Sequence, residues 1–232
     1  MEKLIIGSRG SKLALKYAEI AKKAFLKELD IEIEIKKITT GGDLVLDRRT
    51  SEIGGKGEFI KNIEKELLNK NIDVAVHSLK DVPSVKTKGL RIECFLKRND
   101  PQEVLINKES LTFDKIKKNS VIGTSSLRRE FQLKHLRPDL NFKLIRGNID
   151  TRIKKLDEDQ YDSIILAKAG LMSLALENRI SEVFECKKIV PPAGQGTIVI
   201  QSREDDDKLN NILSKINHFE TSIEAKVERK IL

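Results

Sequence analysis

The stretch Ile72-Asp73-Val74-Ala75-Val76-His77-Ser78-Leu79-Lys80-Asp81-Val82-Pro83 holds the most reactive combination of side chains in the chain. An apolar run of strand length ends in Ser78, Lys80 and Asp81, a hydroxyl, an ammonium and a carboxylate, and Pro83 then stops the element. A carboxylate held on a rigid strand end can stabilise positive charge that develops during a reaction. The other candidate groups are arginines beside glycines and hydroxyls: Arg9 between Gly7-Ser8 and Gly10-Ser11, Arg128 and Arg129 after Thr124-Ser125-Ser126, and Arg146 and Arg152 around Gly147-Asn148. Guanidinium forks suit several carboxylates held at fixed angles, whereas scattered surface ion pairs add little stability. These spacings predict an anion-binding cleft that Asp81 faces.

The elements that must position these groups alternate. Leu4 to Ile6 reads as a strand, followed by a helix whose face is Ala14, Tyr17, Ala18, Ala21, Phe25 and Leu29; Ile31, Ile33 and Ile35 form the next strand. Residues 44 to 58 are polar and read as a mobile loop beside the site, with Gly54-Gly55-Lys56-Gly57 its most flexible part. Phe59, Ile63 and Leu67 mark a helix before the strand leading to Asp81, and Arg91 to Leu96 is a further strand. A second cycle follows a crossing near Lys97 to Pro101. It comprises strands at Val104 to Ile106, Val121 to Gly123, Phe142 to Ile145 and Tyr161 to Ala167, and a helix carrying Leu127, Phe131 and Leu136. Gly7 to Ser11 and Gly123 to Ser126 are two similar junctions from glycine through hydroxyl to helix, which fits two lobes facing a shared cleft. Pro191-Pro192-Ala193-Gly194-Gln195-Gly196 reads as a second crossing. The expected architecture is α/β with a discontinuous first domain, residues 1–96 plus 197–217, a second domain at 101–190 and a helical tail at 218–232.

The 232 residues carry 44 Lys plus Arg against 36 Asp plus Glu, a net charge of +8 that favours an anionic ligand without naming it. No basic tail or Cys/His finger spacing supports nucleic acid as a partner, and no apolar run reaches the length of a membrane span. The start is too charged for a signal peptide, so a cytoplasmic location is expected. His77, His135 and His218 lack metal-ligand spacing, so no metal is expected.

Four stretches together, His77 to Pro83, Gly123 to Arg129, Arg146-Gly147-Asn148 with Arg152, and Pro192 to Gly196, resemble in order and spacing the porphobilinogen deaminase (hydroxymethylbilane synthase) family, over essentially the whole chain. The resemblance implies two lobes built like periplasmic binding proteins with the cleft between them, and a third α+β domain. It implies an enzyme of tetrapyrrole (haem and chlorophyll) biosynthesis that condenses four porphobilinogen molecules head to tail with release of ammonia, the chain growing on a dipyrromethane cofactor bound to a cysteine of the third domain. Asp81 matches the catalytic carboxylate. Arg9, Lys80, Arg128, Arg129, Arg146 and Arg152 match positions that bind the carboxylate arms of substrate, cofactor and growing chain, with Ser11, Ser78, Thr124, Ser125 and Ser126 as hydrogen-bonding groups beside them. Two departures stand out. Ser173 occupies a position where the family has arginine, and neither Cys94 nor Cys186 matches the attachment cysteine, whose loop is expected beyond Leu232. The expectation is therefore a two-domain version lacking the cofactor-bearing domain. Its alternatives are a noncatalytic binding protein for pyrrole or other polycarboxylate ligands, or one part of a split enzyme whose third domain is a separate polypeptide.

Overall fold

The structure is a computed structural model, and it describes residues 3–39, 57 and 60–232. The expected loop glycines Gly54 and Gly55, with Lys56, lie outside the described residues, as does Phe59.

Two five-stranded mixed sheets organise the chain. The first contains β1 (Lys3–Arg9), β2 (Glu32–Ile38), β3 (Val74–Ser78), β4 (Leu90–Phe95) and the late strand β10 (Ile198–Arg203), in the order β2-β1-β3-β10-β4. The second contains β5 (Glu103–Ile106), β6 (Val121–Gly123), β7 (Asn141–Lys143), β8 (Ser163–Ala167) and β9 (Glu182–Phe184), in the order β7-β6-β8-β5-β9. In each sheet three parallel strands form one side and an antiparallel strand joins them to the edge: β1 runs parallel to β2 and β3, and β6 runs parallel to β7 and β8. Strand β10 lies antiparallel between β3 and β4, as β5 does between β8 and β9.

The parallel strands are joined by helices: α1 (Lys12–Phe25) and α2 (Lys61–Leu68) in the first lobe, α3 (Leu127–Leu136) and α4 (Ile149–Asp157) in the second. Helix α1 begins where Ser11 accepts a hydrogen bond from the Ala14 amide at 3.3 Å, and it buries Tyr17, Ala18, Ala21 and Phe25 against β1 and β3. Leu29 lies beyond the end of α1 but still packs against the same core. Short α5 (Lys168–Ser173) follows β8, and α6 (Asp207–Ile216) and α7 (Phe219–Arg229) close the chain. Helix α4 and strand β9 carry no distinct sequence expectation: α4 is rich in charge, and β9 has only three residues.

Helix α3 corrects the sequence reading. Leu127, Phe131 and Leu136 are exposed, Phe131 to 67%, and the residues turned inward are Leu133 and Arg129. An arginine can occupy a core-facing position because a buried carboxylate, Glu103, meets it there.

Candidate active site

The cleft opens outside the carboxyl ends of β1, β3, β6 and β8, the usual ligand position in sheets of this kind. Its volume is about 750 Å³, and both lobes line it. Among the described residues eight lysine or arginine side chains border it (Arg9, Lys12, Lys37, Lys80, Arg129, Arg146, Arg152 and Lys155) against two carboxylates, Asp81 and Asp150. That imbalance favours anions over cations in the cleft.

Lys80 and Asp81 sit on a single 3₁₀ turn, Leu79–Asp81, immediately after β3. The turn is fixed from below, where the Leu79 amide donates to the Thr197 carbonyl at 2.9 Å, and from behind, where Arg229 donates to the carbonyls of Val82 (3.1 Å) and Pro83 (2.6 Å). Lys80 donates to Gln195 Oε1 at 3.2 Å. Burial pulls the Lys80 ammonium below its ordinary pKa; Asp81 opposes this, Arg129 adds to it, Glu103 opposes it, and Arg152 adds to it.

The second lobe supplies the facing cations. Gly147, at φ +110°, turns the chain sharply between Arg146 and α4. Arg152 then bonds back through Nε to the Gly147 carbonyl at 2.8 Å, and Lys155 bonds to the Arg146 carbonyl at 3.2 Å. Burial brings the Arg152 guanidinium down to about 10, and its neighbours Arg129 and Arg146 push the same way while Asp81 resists. An anion entering between these groups would relieve their mutual repulsion. Arg129 is anchored by Glu103 Oε2 at 2.7 Å and the Ile165 carbonyl at 2.9 Å, and its buried Nε has no hydrogen-bond partner among the described residues.

The expected site residues thus divide. Arg9, Ser11, Ser78, Lys80, Asp81, Arg129, Arg146 and Arg152 border the cleft. Arg128 does not; it donates to Glu103 Oε1 and to the Val190 carbonyl. Thr124 is buried and accepts from the Ser126 amide at 3.2 Å, Ser125 donates to the Ile145 carbonyl, and Ser126 caps α3 by accepting from the Arg129 amide at 3.4 Å. These three hydroxyls shape the loop that carries Arg129. Gly57 lies near Lys61 and Pro83 and is not among the residues that line the cleft.

Ser173 donates to the Ala169 carbonyl at 2.8 Å and faces Tyr17 of the other lobe, whose phenol burial pushes up to about 12 against the Ser173 contact. Neither cysteine lines the cleft: Cys94 is in the first-lobe core, its thiol pushed up to about 12 by burial, and Cys186 lies behind the crossings near Arg98. Among the described residues no cluster of His, Cys, Asp and Glu could hold a metal, and no helix is long and apolar enough to cross a membrane.

Sequence reasoning missed Lys155, Tyr17, Gln195 and Glu103. Lys155 was recoverable, since it follows Arg152 by three residues on one helix and shares its face. Glu103 gave no local signal, because an acid at a strand end reads as solvent-facing until its arginine partners arrive from 25 residues away.

The family model described as porphobilinogen deaminase, dipyromethane cofactor binding domain, matches residues 4–211. The porphobilinogen deaminase of Bacillus thuringiensis is 47% identical over 234 residues, an alignment spanning all of this chain and 76% of the relative, and that of Oceanobacillus iheyensis is 46% identical over 237 residues with the same coverage. At the level of fold alone, an arginine-specific periplasmic binding protein of Salmonella typhimurium superposes with a TM-score of 0.52 at 14% identity, over 98% of this chain and 99% of that one. The two-lobe α/β build is therefore that of periplasmic binding proteins, and by its sequence the chain belongs to the porphobilinogen deaminase family.

Proposed function

We propose that this chain acts as a hydroxymethylbilane synthase, binding porphobilinogen and the growing linear pyrrole chain in the cleft and releasing ammonia as each unit is joined. The observation that carries the reading is Asp81, held on an anchored turn in a cleft where, among the described residues, cations outnumber carboxylates eight to two. Each pyrrole unit brings an acetate and a propionate arm, and Arg9, Lys80, Arg129, Arg146, Arg152 and Lys155 supply fixed partners for several such arms at once. The donor set fits dipyrromethane as well, a group with four carboxylates, and the unpartnered Nε of buried Arg129 is one donor still to be satisfied. When bound, dipyrromethane supplies the pyrrole carbon to which the first substrate is joined.

The work of the protein's own residues is electrostatic. The cations orient the arms so that the aminomethyl group of porphobilinogen lies at Asp81. The aminomethyl group leaves from its protonated form: as the carbon–nitrogen bond breaks, the electron pair goes with nitrogen as ammonia and positive charge spreads over the methylene carbon and the pyrrole nitrogen. The pyrrole carbon of the growing chain that then bonds to the methylene gives up its proton to solvent. The Asp81 carboxylate attracts that charge more strongly than it attracts the ground state, which is the differential interaction that raises rate.

A second reading, noncatalytic binding of pyrrole polycarboxylates, is favoured by one observation: neither Cys94 nor Cys186 borders the cleft. Incubation with porphobilinogen, with and without added dipyrromethane, separates the two. Ammonia release and uroporphyrin formation are expected. Saturable binding without ammonia under both conditions establishes the binding protein instead.

A further inference from the structure

Gln195 lies in the second crossing between the lobes, is almost wholly buried, and has no part in the reading above. Its contacts join the turn that carries Lys80 to the first crossing. Oε1 accepts from Lys80 Nζ at 3.2 Å, Nε2 donates to the carbonyl of Pro101 in the first crossing at 2.6 Å, and its main-chain carbonyl accepts from Arg98 Nε at 3.0 Å. The residues on either side fix it in place. Gly194 and Gly196 have φ of +75° and +85°. A Cβ on Gly194 would press into Leu79 at 2.6 Å, and one on Gly196 would meet the Asn99 carbonyl oxygen at 2.3 Å, so the second crossing is packed directly against both the Asp81 turn and the first crossing. Glu228 completes the clamp, pairing with Arg98 at 2.6 Å and accepting from the Gly194 amide at 2.7 Å.

We infer that Gln195 is a positioning residue for Lys80: it ties the ammonium to both crossings, so that the place of this cation in the cleft is set by the relative position of the two lobes. The carboxamide suits the task because it offers an acceptor to the ammonium and a donor to the Pro101 carbonyl at once. The role rests on reading Lys80 as a carboxylate-binding cation, but its test does not require turnover.

The test measures acetylation of Lys80 against pH in the ligand-free chain, by peptide mass spectrometry, in the parent, Gln195→Met and Gln195→Glu. Asp81, Arg129, Glu103 and Arg152 act on Lys80 in all three proteins, so differences report position 195. Methionine removes the acceptor from the ammonium and is expected to move the profile to lower pH; glutamate adds a carboxylate and is expected to move it to higher pH, each by about half a unit or more. Lys155, which lines the same cleft and bonds to the Arg146 carbonyl instead, is expected to keep its profile. A merely structural role loosens the site and moves both lysines the same way in both variants. That result, or three coincident Lys80 profiles, overturns the inference. Opposite Lys80 shifts in a chain that neither binds nor converts porphobilinogen uphold the positioning role and refute the proposed substrate instead.

Discussion

In the first lobe a Cβ on Gly7 would lie 2.3 Å from Ile72, and in the second a Cβ on Gly123 would lie 2.9 Å from Tyr161, each glycine packed against the residue two before the next parallel strand. The following residues, Asp73 and Asp162, accept from the amides of Ile5 (2.7 Å) and Val121 (2.6 Å) and donate back through their own amides. Aligned on these points, Ser11 caps α1 as Ser126 caps α3, and β10 lies against β3 as β5 lies against β8. The frames repeat, but the side chains at the cleft do not. Lys80 and Asp81 in the first lobe correspond to Ala169 and Gly170 in the second, and Arg9 corresponds to Ser125. One lobe presents the reactive carboxylate, and the other presents small residues at the matching turn with arginines on α3 and α4 around it. A repeated frame thus yields an asymmetric cleft, in which a carboxylate on one wall faces cations and open space on the other.

The sharpest way to break this comparison is to remove the carboxylate that one turn has and the other lacks. Asp81→Asn is expected to lower kcat for ammonia release by roughly a hundred-fold or more while leaving the thermal midpoint nearly unchanged, since the side chain is partly exposed on an anchored turn. Retention of near-parent kcat would remove Asp81 from the chemistry. Glu103→Gln tests the other lobe. Burial alone raises the Glu103 pKa, but Arg129, Arg128 and Lys80 outweigh it and hold the carboxyl below its ordinary value. Removing the charge leaves two half-buried or buried guanidiniums facing each other, so urea unfolding is expected to show a loss of about 3 kcal/mol. No equivalent loss is expected at Ile198, which holds the matching place in β10.

Glu103 also marks the limit of what the sequence discloses. Alternating apolar positions located nearly every strand, and the two junctions from glycine through hydroxyl to helix were legible because capping depends on the residue itself and its near neighbours. Asp81, Lys80, Arg146 and Arg152 were legible as residues of the cleft wall because they stand at the ends of recognisable strands or beside a glycine turn. Arg128 looked equivalent to Arg129, one residue away. What separates them is a carboxylate on a strand about 25 residues earlier, which takes both oxygens' worth of hydrogen bonds and leaves only Arg129 on the cleft wall. The same applies to the apolar face of α3, where the helical spacing of Leu127 and Phe131 was real but the core lay on the other side. Pairing between distant charges decides such cases, and no local pattern records it.

A pH effect should separate the two cores. His77 in β3 corresponds to Leu166 in β8. His77 is buried, bonded to Gln201 at 3.1 Å, and burial lowers its pKa to about 4. The unfolded chain therefore takes up a proton near the ordinary value of 6.5 while the folded chain does not until about 4. Stability from this residue is complete above about 6.5 and is lost as pH falls through that window, by an amount on the order of 3 kcal/mol. Urea unfolding at several pH values is expected to show this slope, and His77→Leu, which copies the second lobe, is expected to flatten it. An unchanged slope would assign the acid sensitivity to carboxylates such as Glu103.

The smallest expected effect lies where the lobes meet at the mouth of the cleft. Lys12, at the start of α1, pairs with Asp150 in the first turn of α4, Nζ to Oδ2, at 3.0 Å. The pair spans the two lobes, whereas the Lys80–Gln195 bond ties the first lobe to the crossings, and the Lys12 side chain is 75% exposed. Exposed pairs of this kind contribute about 0.5 kcal/mol or less, and salt screens what they do contribute. Lys12→Ala is accordingly expected to change unfolding free energy by no more than about 0.5 kcal/mol and KM for porphobilinogen by less than about three-fold. Any change should vanish in roughly 0.5 M salt, where the Debye length is only a few ångströms. A larger, salt-resistant rise in KM would show that the mouth holds the lobes together as firmly as the crossings do, and that Lys12 meets a substrate carboxylate directly. A small, screened effect places the control of lobe geometry at the crossings, where the Gln195 side chain is buried and the Arg98–Glu228 pair is less exposed than Lys12.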